Sequence, residues 1–300
     1  MRRFEPDVLY TSISIANAVT GTVRPGEVFE VRTVSCRGRQ FDTHTGRFDP
    51  SAPGGPNPST GCIAVEGAQA GQVLVVHVLG IELDEYGFTE LRWPGKLLPQ
   101  LANEAGWEPL RKVARLRDGY AEWSDRLRIR LAPMIGFLGT APAGGQSFHN
   151  GHNGLFGGNF DVQEIAPGAR VHLPVNVEGA LLHVGDVHAV QGDGEIDGTG
   201  GIESAGIVRL KVELADRPTR FGNPRIQTDD WIATIGFARP AEEAFSQALA
   251  DLIHWMVDEF GFAPAQAHTL LGQVLEARAT QFVNPLISYV CKVWRRYLQL

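Results

Sequence analysis

The residues best suited to chemistry crowd into 145–205 of this 300-residue chain. In Gly185-Asp186-Val187-His188, extended backbone puts residues two apart on one face, so Asp186 and His188 project together. Gln191-Gly192-Asp193-Gly194-Glu195 follows, where glycines beside the acids permit positive φ and let a carboxylate reach a shared point. Upstream, Gly157-Gly158-Asn159-Phe160-Asp161 repeats the device, with Asn159 and Asp161 on one face. Carboxylate and imidazole donors at these spacings suit a divalent cation such as zinc, calcium or magnesium. Each string alone also suits an ordinary turn or a hydrogen-bonded strand pair. Three of them together, in a chain only 20% charged, point to a site.

Other histidines read differently. His149 and His152 lie in a Gly/Asn-rich stretch that reads as a mobile, exposed loop, although both side chains are capable ligands. His77 shares a strand face with Val75 and Leu79, which suits a core or subunit interface. His44, His254 and His268 have no neighbours that raise them above surface residues. Nucleophile chemistry is tested by absence: there is no G-x-S-x-G elbow, and none of the four lysines follows a serine by three residues. Cys62 has no base or helix start beside it and reads as structural. Phosphate-binding and dinucleotide fingerprints are missing too. Carboxylate and metal chemistry is what remains.

The elements that must position these groups are mainly strands. Alternating residues mark 126–131, 170–177 and 207–214, and turn-fed strands are expected within 19–35, as a pair around Pro25-Gly26, and over 71–83. Residues 37–60 and 84–124 read as loops, the latter holding Trp93, Trp107 and Trp123 and suiting a lid or a subunit contact. From 241 to 260 the apolar residues fall at steps of three and four, which predicts an amphipathic helix capped by Gly261. Pro264 opens a second helical stretch that should end before Asn284-Pro285. The outline is one α+β domain over 1–300: a β-rich part, 1–240, carrying the site, and a helical tail, 241–300.

Composition narrows the function class. Gly 35 and Pro 18 exceed the usual combined share of roughly 12% and favour many turns. A net charge of −7 without a long basic run argues against a nucleic-acid partner. The first residues break at Glu5, Pro6 and Asp7, unlike a signal peptide, and no window approaches 18 apolar residues. Three cysteines without C-x-x-C spacing suit a reducing cytoplasm. The apolar helix offers surface for a homo-oligomer, without fixing its number.

Several strings resemble the acetamidase/formamidase family. Residues 57–71, NPSTGCIAVEGAQAG, are similar to its N-P-x-T-G-P-I-x-V-E-G-A-x-P-G motif, and 157–161 to its G-G-N-x-D. The run LPVNVEGALLHVGDVHAVQGDGE over 173–195 resembles its most specific signature, and Glu203 fits the A-I-E-x-A-G that follows. Residues 258–261 and 276–281 look like its closing helices. The resemblance implies a β-rich, sandwich-like α+β fold with C-terminal helices. It also implies hydrolysis of short amides to carboxylate and ammonia at a metal-assisted site built from Glu66, Asn159, Asp161, Asp186, His188, Gln191, Glu195 and Glu203. Phe156 replaces a histidine and Cys62 a proline of the family pattern.

The expected arrangement puts a cation, zinc first and calcium or magnesium as alternatives, among Asp161, Asp186, His188 and Glu195. Glu66 is the expected base, with His188 as the alternative and Glu203 as a further catalytic carboxylate. Asn159 and Gln191 are expected to donate hydrogen bonds to the developing oxyanion. A small amide is the expected partner. A bulkier or cyclic amide, with Phe156, Phe160 and the three tryptophans lining a wider pocket, is the second enzymatic reading. A non-catalytic, metal-stabilised binding protein is the rival class.

Overall fold

A computed structural model describes residues 1–299 except Pro53, 92–96 and 102–109. The chain is mostly β, with a curled sheet and two helices near its end. Nineteen of the described strands join in one hydrogen-bonded network. Its pairings are antiparallel apart from Arg2–Phe4 with Val28–Arg32 and Gly21–Val23 with Ser59–Val65. The strands flanking Pro25-Gly26 therefore exist as expected but do not pair with each other.

Strand Gln72–Leu91 is the backbone of the network. It runs antiparallel to Arg170–Pro174, to Ile202–Asp216 and to Leu110–Arg117. Its alternating valines send Leu74, Val76 and Val78 into the main core, where they meet Val171, Val208 and Leu210. Each such buried side chain contributes about 1.5–3 kcal/mol. Strand Leu182–Val190, which carries Asp186 and His188, lies between Met134–Gly139 and Ile202–Asp216 and also borders Ser59–Val65.

Helix α1, Ala241–Phe260, lies against strands Trp231–Ala238 and Ile287–Trp294 and fills a second core with Leu252, Trp255 and Met256. Gly261 caps it in the left-handed conformation (φ 73°), its N–H on Met256 O. Helix α2, Pro264–Val274, starts at the proline as expected.

Two expectations fail. Glu276–Gln281 is not a closing helix but a strand paired with Ile287–Trp294, so the 241–300 segment is only half helical. Its Glu-Ala-Arg-Ala composition favours a helix, but pairing to a strand already fixed on Trp231–Ala238 overrides that preference. Residues 84–124 are not one long loop, since Gln72–Leu91 and Leu110–Arg117 occupy much of them. Trp93 and Trp107 lie outside the described residues, while Trp123 packs on the Ala114–Leu116–Ala121 cluster under Lys112.

Candidate metal centre

Five ionisable side chains meet inside the fold: Asp161, Asp186, His188, Glu195 and Glu203. All are buried, from 0% exposed at Asp161 and His188 to 6% at Glu195. His188 Nε2 lies 3.5 Å from Asp186 Oδ2, 3.6 Å from Glu203 Oε1 and 4.0 Å from Asp161 Oδ1. The Asp161 and Glu195 carboxyl groups also meet.

Local backbone aims these groups. Asp161, Asp186 and Glu195 all take left-handed φ, at 49°, 54° and 47°. For a non-glycine residue this costs on the order of 1–3 kcal/mol, so the surroundings must hold it. For Asp186 the neighbouring strands do so. Glu195 ends the short 3-10 turn Asp193–Glu195, and its Oε1 accepts from Gly200 N–H at 2.8 Å. Gly200, itself at φ 65°, must be glycine, because an added Cβ would overlap His188 Nε2 and Glu203 Oε1.

Asn159 and Gln191 stand beside the cluster but do not aim at a reacting oxygen. Gln191 Nε2 donates to the carbonyls of Asp161 (2.9 Å) and Thr280 (3.0 Å). Both amide protons are thereby used, so Gln191 Oε1, 2.8 Å from His188 Nδ1, must accept from it. That fixes the proton on Nδ1 and turns Nε2 toward the carboxylates, which is how supporting groups orient a metal-ligating imidazole. Asn159 Nδ2 donates to Asp161 Oδ2 (2.9 Å) and Asn284 Oδ1 (3.3 Å), and its Oδ1 accepts from Asn57 (2.6 Å). As the structure stands, the amide protons of Asn159 and Gln191 are spent on the groups around the cluster.

Glu66 is not brought to this group. It follows the buried end of strand Ser59–Val65, points outward with 61% of its side chain exposed, and pairs with Arg24 at 3.0 Å. It cannot serve as base to a buried cluster in its own chain. The 149–152 stretch also departs from expectation. Asn150 is 0% exposed and donates to Tyr10 O, Asn57 O and Ser59 Oγ, so that loop is anchored, and neither His149 nor His152 joins the cluster.

Three participants were missed. Asn57 donates to Asp186 Oδ2 (3.1 Å), and Asn284 donates to Asp161 Oδ2 (2.6 Å). Asn57 opens the NPSTG string, and this was the available signal. Asn284 reads only as a helix stop before Pro285. Cys36, the third, has its thiol beside Asp186 and Glu203.

The charges do not balance. Among the described residues no hydrogen-bond partner reaches Asp161 Oδ1, Asp186 Oδ1, His188 Nε2, Glu195 Oε2 or Glu203 Oε2. Burial, then the charge of Asp186, pushes the Asp161 carboxyl up to about 7. Burial and Asp161 push Glu195 well above the usual carboxylate range, and burial and Asp186 do the same to Glu203. Burial opposes charging His188, but Glu203 and Asp186 outweigh it and hold the imidazole well above its ordinary value. Without a counter-charge, these groups must retain protons. Asp161, Asp186 and His188 each turn a ligand atom to one place, all within 4.8 Å of one another. The orphaned atoms and the nitrogen–oxygen donor set fit a divalent cation.

Comparison with known proteins points to one family. The Acetamidase/Formamidase family pattern matches residues 153–292. The chain is 32% identical over 137 residues to an acetamidase from Mycolicibacterium smegmatis, an alignment covering 39% of this chain and 34% of that protein. The match thus spans about a third of that curated relative's length. Solved structures match throughout. The crystal structure of an acetamidase from Bacillus halodurans has a TM-score of 0.88 and 32% identity, covering 98% of both chains. That of a predicted acetamidase/formamidase from Thermoanaerobacter tengcongensis has a TM-score of 0.90 and 32% identity, covering 99% of this chain and 96% of that one.

Proposed function

This chain belongs to the acetamidase/formamidase family, and from that premise we propose that it cleaves the C–N bond of short linear amides. The products are the carboxylate and ammonia. The observation that carries the catalytic reading is the set of orphaned, buried ligand atoms on Asp161, Asp186, His188, Glu195 and Glu203.

Asp161, Asp186 and His188 would hold the cation, zinc being the choice that suits a borderline nitrogen–oxygen set. When bound, such an ion polarises an amide carbonyl and lowers the pKa of water from 15.7 toward about 7. Gln191 keeps the His188 ring turned, with the proton on Nδ1 and Nε2 facing the carboxylates. Asn159 and Asn284 fix Asp161 Oδ2, which is turned away from His188, while Asn57 holds Asp186 Oδ2 beside His188 Nε2. Glu195 takes the base role in place of Glu66. Its Oε1 is pinned by Gly200 while Oε2 is free, and burial makes the carboxylate basic enough to accept a proton and return it to the departing amine.

The small-acyl reading is favoured over the bulky one because the two phenylalanines that the bulky reading needs are spent on packing. Phe160 is 0% exposed and stacks on Phe237, and Phe156 stacks on Phe148.

The test is ammonia release from amides graded in acyl size, before and after chelation and after zinc is restored. Formamide or acetamide should be hydrolysed, with activity lost on chelation and regained with zinc. Binding of zinc without ammonia release from any amide would favour the non-catalytic class, and full activity without metal would remove the mechanism.

A further inference from the structure

Besides Glu195 Oε2, the centre described above leaves two buried ligand atoms that its Asp161–Asp186–His188 set does not require. Glu203 Oε2 and Asp186 Oδ1 both lack a hydrogen-bond partner among the described residues, on side chains only 2% and 3% exposed. Both carboxylates face a third group of different chemistry. Cys36 lies just beyond strand Val28–Arg32, and its sulfur stands with ligand oxygens of Asp186 and Glu203 inside a 4.8 Å circle.

We propose that Cys36, Asp186 and Glu203 form a second cation subsite, so that Asp186 bridges two ions. One subsite, Asp161–Asp186–His188, offers only nitrogen and oxygen. The other adds sulfur, which selects a softer ion of the zinc class over calcium or magnesium. On binding, the Cys36 thiol loses its proton to solvent, and the sulfur–metal bond replaces the S–H bond. The two extra ligands also explain why one imidazole is surrounded by more carboxylates than one ion needs. A second positive charge brings the buried cluster closer to neutrality than a single cation does.

The other two cysteines make the idea readable. Cys62 and Cys291 are both 0% exposed, and burial holds their thiols at about 11 and about 12. Neither is grouped with carboxylate or imidazole ligands among the described residues. Any sulfur bound to metal in the native chain is therefore that of Cys36.

This inference rests on the reading that the cluster holds a cation at all, and the experiment separates the two. Purified full-length protein is loaded with zinc, freed of excess, and studied by metal analysis and zinc X-ray absorption, beside Cys36→Ser and Glu203→Gln. Circular dichroism establishes that each variant is folded. The expected wild-type result is two zinc ions per chain and a sulfur shell at about 2.3 Å. Cys36→Ser should keep one ion and lose the sulfur shell, and Glu203→Gln should bind the second ion at least tenfold more weakly. One ion with nitrogen and oxygen neighbours only would overturn the second subsite while sparing the first. A sulfur shell that survives in Cys36→Ser would also overturn it. No retained zinc would overturn both.

Discussion

Two of the regions where this molecule buries charge do so in opposite ways. Between strand Arg225–Gln227 and helix α1, the Arg225 guanidinium meets Asp251 through two contacts of 2.9 and 3.2 Å and donates to Arg220 O at 2.8 Å. Gly222 N–H supplies Asp251 with a further hydrogen bond, and the guanidinium stacks over Trp255 and Phe221. One positive charge meets one negative charge, and no buried side-chain atom of the pair is left without a partner. The metal centre sets four carboxylates against one imidazole and leaves an orphaned atom on every one of the five. A finished ion pair is architecture. An unfinished cluster held in strained backbone is built for something that arrives from outside.

That contrast can be broken at either end. The largest effect is expected on stripping the metal. Asp161, Glu195, Glu203 and His188 all have folded values raised above their unfolded ones. Their stabilising contribution is therefore present at low pH and is lost as pH rises through the folded values, about 7 for Asp161. The melting temperature of the metal-free protein should fall as pH rises through neutrality. Zinc at about 1,000 times its dissociation constant should restore about 4 kcal/mol. Equal melting curves with and without zinc would erase the distinction between the two regions.

Next is the finished pair. Asp251→Ala leaves Arg225 buried and alone, and chemical denaturation should show a loss of about 3–5 kcal/mol. Zinc content should stay at the wild-type level. A loss of zinc would mean that the two regions are coupled rather than separate.

Gln191→Ala should act in the reverse sense. It frees the His188 ring and should weaken zinc binding about 10–100-fold, measured by chelator competition, with a smaller change in stability. Smallest of all is Glu66→Gln. An exposed pair with Arg24 is worth at most about 1 kcal/mol, so both unfolding and ammonia release should stay near wild type. A collapse of the rate would return Glu66 to the mechanism.

The legible parts of the site were those whose geometry is local. Asp186 and His188 come together as their spacing implies, and Asn159 and Asp161 share a hydrogen bond across one intervening residue. Strands Arg170–Pro174 and Ile202–Asp216 and helix α1 announced themselves by period, the first ending three residues before the expected 177 and the second running beyond 207–214 at both ends. What stayed hidden depended on distant partners. Asn284 reaches Asp161 across more than a hundred residues, and Cys36 arrives from a turn beyond strand Val28–Arg32. Glu66 misled because a motif fixes a position but not a direction. Val65 faces the core, so the next residue turns away from it. Glu276–Gln281 misled because its helix-favouring residues carry less weight than the edge to which it pairs.

The central claim is that the buried cluster is a cation site, and calorimetric titration of the chelated protein with zinc tests it most directly. The account predicts saturable binding accompanied by proton release that diminishes as pH rises through about 7, where Asp161 has already ionised. It also predicts a marked loss of affinity in Asp186→Asn. No saturable binding by the wild type across neutral pH, or equal affinity in the variant, would contradict it.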